Sequence, residues 1–251
     1  ATKGSAVVRN PAACFTADGR PDWAAANREF EGAGADTLRQ AVDGSLRRLR
    51  TDHIDLYYVH VDDRNTPLEE TLEALAGFVA AGKIRHYGWS NVRAWRLARI
   101  QALCERYGWP APVAVQQQHS YLRRRAGLAH VSIVDDEQLD YLRANPQATL
   151  VAYSPIVKGV YDAPDKPDAG WALEPYRGPD ADARLAVLAE VAAEVGATRN
   201  QTVLAWLLAQ HDPTVVPLIG PRTVEQYRSA LPALELKLSA AQLDRLDAAG
   251  A

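Results

Sequence analysis

The sequence predicts an α/β protein of the TIM (β/α)8 barrel class that lacks the first two βα units. Three observations carry this reading. Short runs rich in β-branched and aromatic residues alternate with segments of helical periodicity along the whole chain. Polar residues, and at the last run a glycine, stand at the carboxyl end of run after run, where a β/α barrel keeps its chemistry: Lys3, His60, Ser90 with Asn91, Gln116, Tyr153 and Gly220. The rival architecture, an open doubly wound sheet, would carry a turn such as G-x-G-x-x-G after its first strand. Gly32-Ala33-Gly34 follows no apolar strand and has no third glycine in place.

The first strand is expected within Ala1–Val8, already under way at the first residue. Asn10–Asp36, rich in Gly, Asp and Ala, reads as a loop with a short helix around Trp23–Phe30. Leu38, Val42, Leu46 and Leu49 share one helical face and lead into the strand Ile54–His60. Leu68, Leu72, Leu75, Phe78 and Val79 form the next apolar face. There Thr66 can cap, Pro67 takes the first helical position and Glu69 closes a capping box. Ile84–Trp89 is the third strand, and Ser90 and Asn91 can also cap a helix starting at Arg93. Val113–Gln116 and Thr149–Tyr153 follow as strands, then Val157–Asp182 as a long proline-containing loop. Ala183–Val195 and Gln201–Ala209 are helices on either side of no strand, Thr214–Ile219 is the sixth strand, and a terminal helix starts at Ser239 with Gln242 at the reciprocal capping position. Six strands are too few to close around the packed interior of this barrel, hence the two missing units.

Composition narrows the class of partner. At 251 residues, with 47% hydrophobic and 24% charged residues, the chain suits a single domain over 1–251. A formal net charge of −3 gives no cationic field for nucleic acid. No apolar run reaches the eighteen or more residues of a membrane span, and the first twenty residues carry no signal-peptide pattern, so a cytoplasmic protein is expected. Cys14 and Cys104 have no second Cys or His at metal spacing, so neither a disulfide framework nor a metal site is expected. The absence of methionine, initiator included, leads to the expectation of an N-terminally incomplete chain.

A lysine, a histidine, amide side chains and an aromatic ring gathered at one mouth can polarise a carbonyl, hold a carboxamide and stack a planar heterocycle. Those are the needs of hydride transfer from a nicotinamide. The wider sequence then becomes specific. Leu46-Arg47-Arg48-Leu49-Arg50-Thr51-Asp52-His53-Ile54-Asp55-Leu56-Tyr57, Gly82-Lys83-Ile84-Arg85 through Ser90-Asn91, Val151-Ala152-Tyr153-Ser154-Pro155 and Val216-Pro217-Leu218-Ile219-Gly220-Pro221-Arg222-Thr223 resemble the aldo-keto reductase superfamily in order and approximate spacing.

The resemblance implies NADPH-dependent reduction of an aldehyde or ketone in a β/α barrel, with a small-molecule carbonyl substrate. It matches Lys3 to the lysine whose ammonium lowers the pKa of a proton-donating tyrosine, and His60 to the histidine that orients the carbonyl. Ser90, Asn91 and Gln116 match the positions that hold the carboxamide, and Tyr153 the ring that stacks on the nicotinamide. Ser154, Ile156, Lys158 and Gly159 match the stretch passing over the pyrophosphate. Gly220, Arg222 and Gln226 match the segment around the adenosine phosphate, with Arg222 the candidate for a 2′-phosphate. The family's tyrosine and aspartate belong upstream of the Ala-Thr-Lys strand, and Tyr57, Tyr58, Tyr87 and Tyr121 do not stand at that position. Residues near Ser229-Ala230 replace the Glu-Asn pair that often holds adenine. Two alternatives stay open: a nucleotide-binding reductase-like subunit, and a truncated barrel with little or no activity. Arg123-Arg124-Arg125 reads as a solvated face, and Trp89, Trp171 and Tyr176 either line a substrate pocket or fill the core. Neither the substrate nor the oligomeric state is written in the sequence.

Overall fold

A computed structural model describes residues 1–19, 22–167 and 169–250. It shows an α/β fold whose parallel sheet follows the chain in strand order, β1 to β6. Its contacts divide the chain into two compact units, Ala1–Val115 and Gln116–Ala251.

In the first unit, β1 (Thr2–Gly4), β2 (Ile54–Val59) and β3 (Ile84–Ser90) pair in parallel. They alternate with α1 (Trp23–Glu29), α2 (Ala35–Leu49), α3 (Leu68–Ala80) and α4 (Ala94–Tyr107). The expected periodicity places the helices: Leu38 and Val42 of α2, and Leu72 and Leu75 of α3, are fully buried. Each such side chain contributes about 1.5–3 kcal/mol relative to exposure. Leu49, the last of the expected apolar face, is instead exposed in the final turn, where Arg50 in the left-handed conformation ends α2.

Three local expectations are corrected. The first strand is shorter than Ala1–Val8, because Ser5 takes φ +70° and turns the backbone out of the ladder. Thr66 does not cap α3. Pro67 holds the N-cap position without a side-chain bond, and the Thr66 hydroxyl donates to Asp63 Oδ2 at 2.6 Å. Glu69 therefore sits in the first turn, favoured there by the helix dipole, and closes no box. Nor do Ser90 and Asn91 cap the following helix: Arg93 is its N-cap, Ser90 still belongs to β3, and Asn91 makes the turn between them.

In the second unit, β4 (Ala114–Gln118, beginning in the first) runs two residues past its expected end. β5 (Thr149–Tyr153) pairs in parallel with β6 (Val215–Leu218). The helices are α5 (Asp136–Ala144), α6 (Ala169–Leu173), α7 (Ala181–Glu194), α8 (Arg199–Leu208), α9 (Val224–Ala230) and α10 (Ala240–Ala248). Ser239 and Gln242 form the expected capping box on α10, and Thr198 and Gln201 a second on α8. Within the expected loop 157–182 the described residues include short elements: 3-10 turns at Val157–Gly159 and Glu174–Tyr176, and α6.

Arg184 of α7, 2% exposed, fastens the C-terminal end of this unit. Its guanidinium donates to the carbonyls of Tyr121 and Ala249 and lies 4.2 Å from the Tyr121 ring centroid. Arg123 and Arg125 are exposed, as a solvated face would be, and the arginine run is also tethered. Arg123 donates to the Asp247 carbonyl, Arg124 pairs with Asp135 and Arg125 with Glu174. Cys14 and Cys104 are both buried free thiols, and no helix among the described residues is long and apolar enough to cross a membrane.

Candidate active site

Strand register decides which side chains meet. Lys3 is level with Tyr58 and Tyr58 with Gly88, so the two-residue alternation puts Lys3, Tyr58, His60, Gly88 and Ser90 on one face of the sheet. Tyr57, Tyr87 and Trp89 fall on the other. The Tyr57 hydroxyl rests against Gly4, 1.9 Å from where a Cβ would be, and Tyr87 donates to the Pro110 carbonyl. Burial raises the pKa of both phenols, so neither is an acid for the first face. Gly88 exists for the chemistry-bearing face: a Cβ there would stand 2.6 Å from the Tyr58 ring and 2.7 Å from the Ala114 carbonyl oxygen.

At the carboxyl end of that face Lys3 Nζ lies 3.0 Å from His60 Nε2. Desolvation, and secondarily the Lys3 charge, push the His60 pKa down to about 4, so the ring is neutral near pH 7. Partial burial lowers the Lys3 pKa as well, although the residue is exposed. The ammonium therefore donates and Nε2 accepts, which leaves the ring proton on Nδ1.

The backbone of His60 is held from two sides. Its N–H donates to the Gly4 carbonyl at 3.0 Å and to Ser5 Oγ at 3.1 Å. Its carbonyl accepts from Asn91 Nδ2 at 2.8 Å, and the same nitrogen is 3.2 Å from Ser90 Oγ. The loop that follows is anchored by carboxylates: Asp62 pairs with Arg96 of α4 at 2.8 Å, and Asp63 accepts from Ala33 N–H at 2.9 Å and from the Asn65 N–H at 2.8 Å. Lys3, His60, Ser90 and Asn91, expected at one mouth, are thus brought together by the first unit. Ser5 and Arg96 are not among the expected site residues; the signal for Ser5 is a polar residue two places beyond Lys3.

The second unit holds the remaining expected residues. Gln116 is half-buried in β4, and its neighbour Gln117 turns to the opposite face, donating to the Val131 carbonyl and to Gln138 of α5. Gln118 donates to the hydroxyl of Tyr176 at 2.7 Å, which makes Tyr176 a core residue. Trp89 is core as well, whereas Trp171 is exposed with Lys158 Nζ 3.9 Å from its ring centroid. Tyr153 ends β5 half-buried; burial raises its pKa, so its ring stays a neutral phenol.

After Tyr153 the backbone is strongly curled: φ is +52° at Ser154, +45° at Val157, +59° at Lys158 and +82° at Gly159. Side-chain-bearing residues adopt this region at a cost of about 1–3 kcal/mol each, and such strain concentrates at ligand clamps. Successive residues of opposite hand, Ile156 at φ −105° before Val157, curl backbone N–H groups into the concave shape that suits anions. Exposed Lys158 adds a cation to it. Gly220 has open space around it, and Arg222 is exposed with its N–H held by Gln226 Oε1 at 2.8 Å. Taken unit by unit, the donor chemistry fits parts of a dinucleotide: in the first unit an amide and a hydroxyl for a carboxamide, in the second a curled strand end and exposed cations for phosphates. Among the described residues no cluster of three or more His, Cys, Asp or Glu could hold a metal ion.

The model of the aldo/keto reductase family matches residues 24–251. The chain is 33% identical, over 84% of its length, to the uncharacterized oxidoreductase YrpG of Bacillus subtilis, covering 62% of that protein. It is 32% identical to norsolorinic acid reductase stcV of Emericella nidulans, covering 52% of it, and 27% identical to versiconal hemiacetal acetate reductase of Aspergillus parasiticus, covering 61%. Each of these alignments takes in 84% of the chain, which spans about half to two thirds of their lengths. A family match over nearly the whole sequence, on a parallel β/α fold with Lys3 and His60 in contact, places this chain in the aldo/keto reductase family.

Proposed function

We propose that the protein containing this chain reduces the carbonyl group of a small aldehyde or ketone with NADPH, and that residues 1–251 belong to one barrel domain. The observation that carries the proposal is the 3.0 Å contact between Lys3 and a neutral His60 on the strand face that also bears Ser90. Bound NADPH supplies a hydride to the carbonyl carbon. The chain's own groups answer the charge that then grows on oxygen. An ammonium has three donors, and with one directed at His60 Nε2, Lys3 keeps two for a carbonyl oxygen. His60, uncharged near neutral pH, holds the ammonium in place without repelling it. An ammonium beside a phenol would also favour its ionised form, the role the family resemblance gives Lys3.

For the cofactor, Ser90, Asn91 and Gln116 are assigned to the carboxamide and Tyr153 to the nicotinamide face. Ser154, Ile156, Lys158 and Gly159 are assigned to the pyrophosphate, and Gly220, Arg222 and Gln226 to the adenosine end. Arg222 favours NADPH over NADH, since a guanidinium matches a 2′-phosphate by charge and by paired donors. Oxidation of NADPH against a panel of aldehydes and ketones tests the activity. Lys3→Met is expected to lower kcat by about 100-fold, in the range of a lost acid–base group, with NADPH affinity nearly unchanged. Equal loss of cofactor binding would remove Lys3 from the catalytic assignment.

A further inference from the structure

Ser5 is 1% exposed, sits one residue past the end of β1, and holds φ +70°. Glycine takes that conformation at no steric cost, so a serine here is explained by its hydroxyl. Its Oγ accepts from His60 N–H at 3.1 Å and from Val61 N–H at 3.2 Å, and donates to the Val61 carbonyl at 3.2 Å. All three bonds fall on the first residues beyond the last ladder residue of β2, Val59. A strand end without such a tether frays, and the direction of the His60 ring is set by the backbone at that point. Ser5 also follows Lys3 by two residues, so one short segment carries both the ammonium and the hook that fixes its partner.

We infer that Ser5 is a positioning residue, whose buried hydroxyl holds His60 at the end of β2 so that Nε2 meets the Lys3 ammonium. Its relevance to catalysis rests on the carbonyl-reducing reading above; the positioning itself is readable without turnover. Ser5→Gly removes the hydroxyl and keeps the left-handed backbone. Long-range nitrogen-15 imidazole spectra of the 251-residue chain near neutral pH report which ring nitrogen carries the proton. The wild type is expected to show His60 with the proton on Nδ1 and Nε2 as acceptor. Ser5→Gly is expected to show a mixture of tautomers, as Lys3→Met does, with the His119 signals unchanged as a control for folding. In the enzyme assay kcat is expected to fall about 10- to 100-fold, the scale of an ångström of misplacement, while the KM for NADPH stays constant.

A wild-type His60 signature in folded Ser5→Gly overturns the inference, whatever the rate does. If Ser5→Gly does not fold, Ser5→Asn takes its place, since asparagine tolerates the left-handed region and returns an acceptor oxygen. A wild-type signature in Ser5→Asn then supports the inference, and a mixture of tautomers overturns it. Absence of turnover in the wild-type protein that contains this chain removes the reductase reading and leaves the tautomer to decide the role of Ser5.

Discussion

Arg96→Met is the perturbation that tests the architecture of the mouth most directly. Arg96 and Asp62 have side chains only 9% and 3% exposed, with Nε and Oδ1 at 2.8 Å. Arg96 Nη2 also donates to the Asp63 carbonyl at 2.7 Å. The second carboxylate oxygen, Asp62 Oδ2, is buried without a hydrogen bond, and Arg64 Nε stays 3.7 Å away. Methionine keeps the length of the stem and removes the charge, so Asp62 would be left as a buried carboxylate with its main partner gone. Breaking such a pair from one side costs about 3–5 kcal/mol. At about 2–4 °C per kcal/mol for a chain of this size, the melting temperature is expected to fall by roughly 6–20 °C. Removing both charges in Arg96→Met/Asp62→Leu eliminates the orphaned carboxylate, and most of the loss is expected to return. Thermal unfolding followed by far-UV circular dichroism reads both variants. A single variant within about 1 kcal/mol of wild type, or a double variant no more stable than the single, would refute the view that this pair anchors the loop after His60.

Gly88→Ala is expected to destabilise the chain by about 1–3 kcal/mol in urea unfolding, because the added methyl meets the Tyr58 ring on one side and the Ala114 backbone on the other; unchanged stability would show that Tyr58 can move aside. Stability is expected to fall as pH drops from about 6.5 to about 4, because burial holds both His60 and His119 near 4 in the folded chain while the unfolded chain takes up those protons nearer 6.5. Urea midpoints that stay flat from pH 7 to 5 at fixed ionic strength would contradict those buried neutral rings. Tyr153→Ala is expected to weaken NADPH binding, and unchanged quenching of NADPH fluorescence would place the ring elsewhere.

The strands were readable because β-branched runs such as Thr149–Tyr153 are bounded by clear breaks, and β5 has the expected ends. Helix ends were readable where a cap has both halves in sequence, as at Ser239 and Gln242. The start of α3 differs from the expected one for a tertiary reason. Asp63, four residues before Pro67, competes for the Thr66 hydroxyl, and nothing local in Thr66-Pro67-Leu68-Glu69 announces that carboxylate as the stronger partner. The contact of Lys3 with His60 was expected from strand ends, since both lie at carboxyl ends of neighbouring parallel strands. Arg96 and Ser5 were not, because their roles depend on which backbone group of a distant segment lies within reach. The arginine run Arg123–Arg125 shows the same limit: its partners lie 6 to 124 residues away.

Left-handed backbone recurs at the carboxyl ends of strands. Among the described residues, non-glycine positions with positive φ are Ser5, Arg50, Asn91, Ser154, Val157 and Lys158. Arg50 ends α2; the others follow β1, β3 or β5 at their carboxyl ends. A left-handed residue bends the chain sharply out of the strand direction. Glycine would make the same bend with less strain, about 1–3 kcal/mol less at each position. The side chains retained there compensate in part: Ser5 binds three backbone groups of His60 and Val61, and Asn91 binds the His60 carbonyl. In the first unit the two left-handed residues at strand ends, Ser5 and Asn91, therefore both close bonds onto the backbone of the same histidine. Uncommon backbone at the ends of two neighbouring strands is thus joined to polar side chains that hold the backbone of one residue, His60. That convergence on His60 supports the proposal that the chemistry lies at Lys3 and His60.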